Sequence, residues 1–208
     1  MRWWRVELFL LALLVDSAAL LAAGLMDYRR LEVPDGMYYP LLATPFAAYL
    51  LAPGLLRAAL LGLAGLLLLV FLLAHRARNV AEGDLLVFIR IPAVVFVAVA
   101  SAAGPLVVAA FVGGLAAAVA IFAARLGRAL CQASLRGIAY VRRERYMDLY
   151  VFPPGVDFED DWEAIRARKM ALLEASQGEC LEARLGLPLV FIFSLGYLAA
   201  VAAAALAA

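Results

Sequence analysis

The chain has 208 residues, 67% of them hydrophobic, and a mean hydropathy of +0.94. A soluble domain is about half apolar, so this composition excludes a water-soluble globule and points to lipid as the surrounding solvent. The formal net charge of +1 conceals a strong asymmetry along the chain.

Spanning a bilayer takes about 20 predominantly apolar residues as a helix, and six stretches are read as spans: 6–26, 37–53, 55–74, 84–101, 105–124 and 187–207. The first runs into Asp27 without a small-residue cleavage site, so it reads as a retained helix and not a removed signal peptide. The second is short and holds Pro40 and Pro45. The predicted fold is therefore an all-α polytopic membrane protein with six transmembrane helices. Residues 1–124 form a core of five helices, 125–186 a small cytoplasmic insert, and 187–208 the sixth helix.

The insert itself has α+β patterning. Ile138 to Phe152 is rich in β-formers and stops at Pro153-Pro154-Gly155. The acidic run Asp157 to Glu163 then leads into Arg166, Arg168 and Lys169, the charge order that a helix dipole favours. Trp162, Ile165, Leu172 and Leu173 fall close to one face of that helix. At about 60 residues the insert is at the lower limit for an independent core, so it is expected to lean on the membrane part.

With the connections 27–36, 75–83 and 125–186 on one side, that side gathers most of the arginines, including Arg29, Arg30, Arg76 and Arg78. The positive-inside rule makes it cytoplasmic and puts both termini outside. The basic run Arg136 to Arg145 is expected to meet anionic lipid headgroups; nucleic acid is not an expected partner of a segment tethered to the membrane. Cys131 and Cys180 are 49 positions apart. They make no zinc pattern, and a reducing compartment predicts free thiols.

Two carboxylates at the margins of apolar segments carry the functional reading, because a charge at the edge of hydrocarbon needs a reason. Asp27 follows the first predicted span, and Asp84 opens the fourth. Two crossings lie between them, so both reach the same face although they are 57 positions apart. Two close carboxylates share one proton; one then activates water as a base while the other protonates a scissile carbonyl. Asp84 at a helix N-terminus is expected to be the ionised partner, and Asp27 near a C-terminus the protonated one. The plainer reading makes Asp84 an N-cap and Asp27 a loop residue paired with Arg29 or Arg30.

Asp16 and Arg90 lie inside predicted spans. They are expected to form a buried pair joining the first and fourth helices, or else to contact substrate. Asp35, after Pro34, reads as a turn and helix-cap residue.

Asp27, with Val33-Pro34-Asp35 ending eight positions later, resembles the first-aspartate motif of type IV prepilin peptidases and archaeal preflagellin peptidases. Glu82-Gly83-Asp84 is similar to the last three positions of that family's GxGD motif, with Ala81 in place of the first glycine. The resemblance covers residues 20–124 and implies catalysis by Asp27 and Asp84, with no metal and no organic cofactor. It implies as substrate a pilin- or archaellin-like precursor with a short basic leader ahead of an apolar helix. Gly83 would let backbone approach substrate, and Glu82 would steer the leader. The cysteine tetrad of bifunctional members is absent, so N-methylation is not expected. The rival expectation is a small proton-coupled transporter or channel subunit that uses Asp16, Asp27, Asp84 and Arg90 as a relay.

Overall fold

The computed structural model describes residues 3–30, 33, 35–77, 82–133, 138–149, 151–156 and 162–208. Within these, the helices are α1 (Trp3–Arg30), α2 (Asp35–Leu51), α3 (Gly54–Arg76), α4 (Leu85–Phe88), α5 (Ile91–Ala100), α6 (Gly104–Ala129), α7 (Trp162–Ala175) and α8 (Leu189–Ala207). The strands are β1 (Leu130–Ala133), β2 (Ile138–Arg142), β3 (Val151–Phe152) and β4 (Cys180–Leu185).

Four helices among the described residues, not six, are long and apolar enough to cross a bilayer: Trp4–Arg29, Gly54–Arg76, Gly104–Ala129 and Leu189–Ala207. The chain has the make-up of a polytopic membrane protein, but the six-span, all-α expectation is wrong. Two of the six apolar stretches fall short for identifiable reasons. α2 has 17 residues, with Pro40 and Pro45 inside it. The predicted fourth span is broken into α4, of four residues, and α5, of ten. Pro92 sits at the start of α5, where its missing N–H is harmless, but its ring would obstruct a helix continuing from α4.

Both irregularities release backbone carbonyls, which cannot be left unpaired in hydrocarbon. Proline at position 45 removes the ordinary donor to the Leu41 carbonyl, and the Arg90 side chain donates to that oxygen instead, at 2.7 Å. At the α4–α5 break, the backbone N–H of Arg90 bonds Val87 and that of Ala93 bonds Arg90. The carbonyls of Leu86 and Ile89 are thereby freed. Arg90 Nη1 donates to the first at 2.6 Å, and the Tyr49 hydroxyl donates to the second.

α8 is the central helix, packed against α1 and α6, and half of its apolar window is buried. Close approach to α6 depends on glycine. A Cβ at Gly114 would lie 2.6 Å from the Leu195 carbonyl oxygen and 2.7 Å from Gly196 Cα. Such contact suits helices in lipid, where association rests on dispersion between closely approaching backbones. By contrast only 17% of the windows of α3 and α6 is buried, which leaves those helices facing lipid.

The insert is a four-stranded antiparallel sheet in the order β1-β2-β4-β3, with α7 beside it. This bears out the α+β patterning of the insert, with its β-forming segment at 138–152, and confines the all-α description to the membrane part. Its core of Val141, Tyr146, Leu149, Val151, Leu181 and Ala183 is continuous with Ala129 and Leu126 of α6. The sheet thus grows directly from the end of a membrane helix and leans on it. Cys131 and Cys180 are joined in a disulfide with Cα atoms 6.3 Å apart, and the free-thiol expectation falls. The cause is register: Cys180 lies opposite Arg142, and a bulge between Leu130 and Gln132 brings Cys131 towards the same end of β2.

Candidate functional site

Asp27 does not lie in a loop. α1 continues through Arg30, so Asp27 occupies its last turns and is 7% exposed. The start of α8 packs against this end of α1. Tyr28 stacks on Phe191 with ring centroids 4.5 Å apart. One turn earlier, a Cβ at Gly24 would meet Ser194 Oγ at 2.7 Å and Phe191 Cα at 2.9 Å. Glycine at 24 is therefore what lets α1 and α8 close together beside Asp27.

Asp84 approaches the same end of α8 from the other side. It ends a 3-10 turn, Glu82–Asp84, that leads into α4. A Cβ at Gly83 would lie 4.0 Å from Val190 in that same first turn of α8. Val190 and Phe191 thus adjoin both aspartate-bearing segments. The N-cap reading of Asp84 fails: its φ/ψ of −67° and −19° are helical, and it makes no side-chain cap hydrogen bond. The dipole argument for its ionisation weakens as well, since α4 has four residues to sum over.

Asp16 and Arg90 are paired, as the sequence led us to expect. Arg90 grips the carboxylate through Nη2 at 2.7 Å and Nε at 3.0 Å, with both side chains essentially fully buried. Around them the structure adds groups that sequence reasoning missed. Thr44 Oγ1 and the Tyr197 hydroxyl donate to Asp16, and the Leu41 and Leu86 carbonyls accept from Arg90. The network joins α1, α2, the α4–α5 break and α8. Among these added groups the Leu41 carbonyl alone had a sequence signal, Pro45, a helix proline that frees the carbonyl four residues earlier for a donor elsewhere. No buried side-chain nitrogen or oxygen among the described residues lacks a partner.

Asp35 is the first residue of α2. Pro34 and the side chains of Asp35 and Glu82 lie outside the described residues, as does Ala81, so the structure does not bear on their assigned roles. Among the described residues no group of three or more His, Cys, Asp or Glu is placed to hold a metal ion. Chemically, the site offers two carboxylates at one end of the bundle, one deeply buried and one partly exposed. No family model, curated protein or solved structure matches the chain.

Proposed function

We propose that this protein is a membrane aspartic endopeptidase that removes a short basic leader from pilin- or archaellin-like precursors. The observation that carries the reading is the approach of the segments bearing Asp27 and Asp84 to the first turn of α8 from two distant parts of the chain. The motif resemblance around residues 27–35 and 82–84 supports it independently. In this scheme one carboxylate takes a proton from water while the other gives a proton to the scissile carbonyl, with no covalent intermediate and no cofactor. The precursor's apolar helix packs against the lipid-facing helices, which leaves its basic leader at the membrane surface.

The transporter reading loses support because Asp16, its central carboxylate, is held by Arg90, Thr44 and Tyr197 at once. That arrangement speaks for a brace between helices and against a proton relay.

The abundance of arginine in the insert and neighbouring connections supports a cytoplasmic face for the site. A second orientation, with the insert outside, is favoured by one observation: the Cys131–Cys180 disulfide is characteristic of an oxidising compartment.

The function is tested by co-expression with a precursor carrying a basic leader, read as gel mobility. Processing by the wild type and its loss in both Asp27→Ala and Asp84→Ala, at equal protein levels, is the expected result. Processing that survives either change removes the pair.

A further inference from the structure

We infer that an arginine-lined cavity between the end of α6 and the sheet binds a phosphoryl-bearing anion, supplied in the membrane by the headgroup of an anionic phospholipid. The cavity has a volume of about 600 Å3 and is walled by the last turns of α6, by Tyr28 and by residues 142–149. Arg125, Arg128, Arg142 and Arg145 line it, against the two carboxylates of Glu144 and Asp148. Four positive charges less two negative leave a surplus of two.

One of these arginines is already committed. Arg125 donates to the Tyr28 carbonyl at 2.6 Å and to the Asp148 carbonyl at 2.5 Å, with its guanidinium 4.4 Å from the Tyr28 ring centre. It ties the membrane helices to the insert and forms the floor of the cavity. Arg145 meets Asp148 only at 4.0 Å, with both side chains more than half exposed, so that pair neutralises little. Arg128 and Arg142 are exposed from the two opposite sides, helix and strand. Planar guanidinium groups converging from two elements match phosphoryl oxygens in geometry and charge.

Position selects the headgroup as the source. Ile121 and Ala124 of α6 form the membrane-side wall, and Ile121 is exposed. Because most of α6 faces lipid, an acyl chain lying along it delivers its headgroup at the depth where the apolar stretch gives way to Arg125 and Arg128. A basic leader peptide would be repelled from the same cavity, so this ligand is distinct from the proposed substrate and does not depend on peptidase activity.

The test uses the full chain in neutral detergent at fixed ionic strength, reading the thermal unfolding midpoint with phosphatidylcholine, phosphatidylglycerol or inorganic phosphate added. Wild type is compared with Arg128→Gln/Arg142→Gln and with Arg166→Gln/Arg168→Gln, which removes equal charge from α7. Phosphatidylglycerol, and not phosphatidylcholine, should raise the midpoint of the wild type and of the α7 variant. In the cavity variant that rise should fall by at least half. If the double variant does not fold, as judged by circular dichroism, Arg128→Gln and Arg142→Gln singly should each lose part of the response. Inorganic phosphate reproducing the lipid effect, with the same loss in the cavity variant, upholds the phosphoryl site and makes its source soluble. No response in the wild type, or an equal loss in both double variants, overturns the inference.

Discussion

At the residue scale, the Asp16–Arg90 pair sets the terms on which this bundle folds. Removing two charges from water is unfavourable, and their attraction compensates only when the remaining donors and acceptors are also satisfied. Here the surplus donors of Arg90 go to carbonyls released by helix breaks, and the surplus acceptor capacity of Asp16 goes to Thr44 and Tyr197. Arg90→Met leaves Asp16 buried without its counter-charge and strands the Leu41 and Leu86 carbonyls. The expected loss is about 3–5 kcal/mol, read from unfolding in detergent, with partial recovery in Asp16→Leu/Arg90→Met. A loss under about 1 kcal/mol for the single change would mean that the pair contributes no more than an exposed one. The pair itself was legible, because two opposite charges inside apolar runs have few other partners. Thr44, Tyr49 and Tyr197 were not legible, because a hydroxyl within an apolar helix has no spacing that announces its partner.

At the element scale, hydropathy located the apolar segments but not their geometry. A window average across 84–101 does not register that Pro92 interrupts the helix or that Arg90 turns inward at the break. The disulfide was hidden for a related reason: a separation of 49 positions becomes 6.3 Å only through the pairing of β2 with both β1 and β4. α7 hides a similar surprise. Lys169, read from sequence as part of the basic end of that helix, is buried, and its ammonium donates to the Leu149 carbonyl at 3.1 Å.

Burial pushes the Lys169 amine down from 10.5 to about 8, partly opposed by the charge of Asp148. Its folded pKa is below its unfolded one, so between about pH 8 and 10.5 the unfolded chain binds more protons. Stability should therefore rise with pH through that window, by on the order of 1–3 kcal/mol. Below it the folded state bears the full cost of a buried ammonium. Non-reducing unfolding curves at pH 7.5 and 10, for wild type and Lys169→Met, should show a smaller rise in the variant. An equal rise in both would assign the pH dependence to other groups.

At the scale of the whole molecule, two questions remain coupled: which face carries the insert, and whether the aspartates at that face do chemistry. The charge distribution predicts a cytoplasmic insert, and Cys131 and Cys180 are both exposed, which makes them reporters. After mild reduction with an impermeant reagent, an impermeant maleimide should leave both cysteines unlabelled in intact cells and label them in inside-out vesicles. Labelling in intact cells would put the insert outside, and the proposed cytoplasmic site with it. A common face for residues 27 and 84 was expected from two crossings between them, and of these the structure keeps α3 as a full-length apolar span while α2 is too short. What links the two segments is their shared packing on the start of α8. That packing was not legible, because α8 comes from a segment more than 100 residues further along the chain.

The most direct test is cleavage by purified protein. A synthetic precursor with a basic leader and an apolar helix is incubated with excess wild type, Asp27→Asn or Asp84→Asn, and the rate of a single turnover is followed by mass spectrometry. Wild type should cut at the junction of leader and helix, and each variant should fall by at least about 100-fold, the lower bound for loss of an acid–base group. Cleavage by either variant at a rate near that of wild type, or no cleavage by a folded wild type, would contradict the assignment.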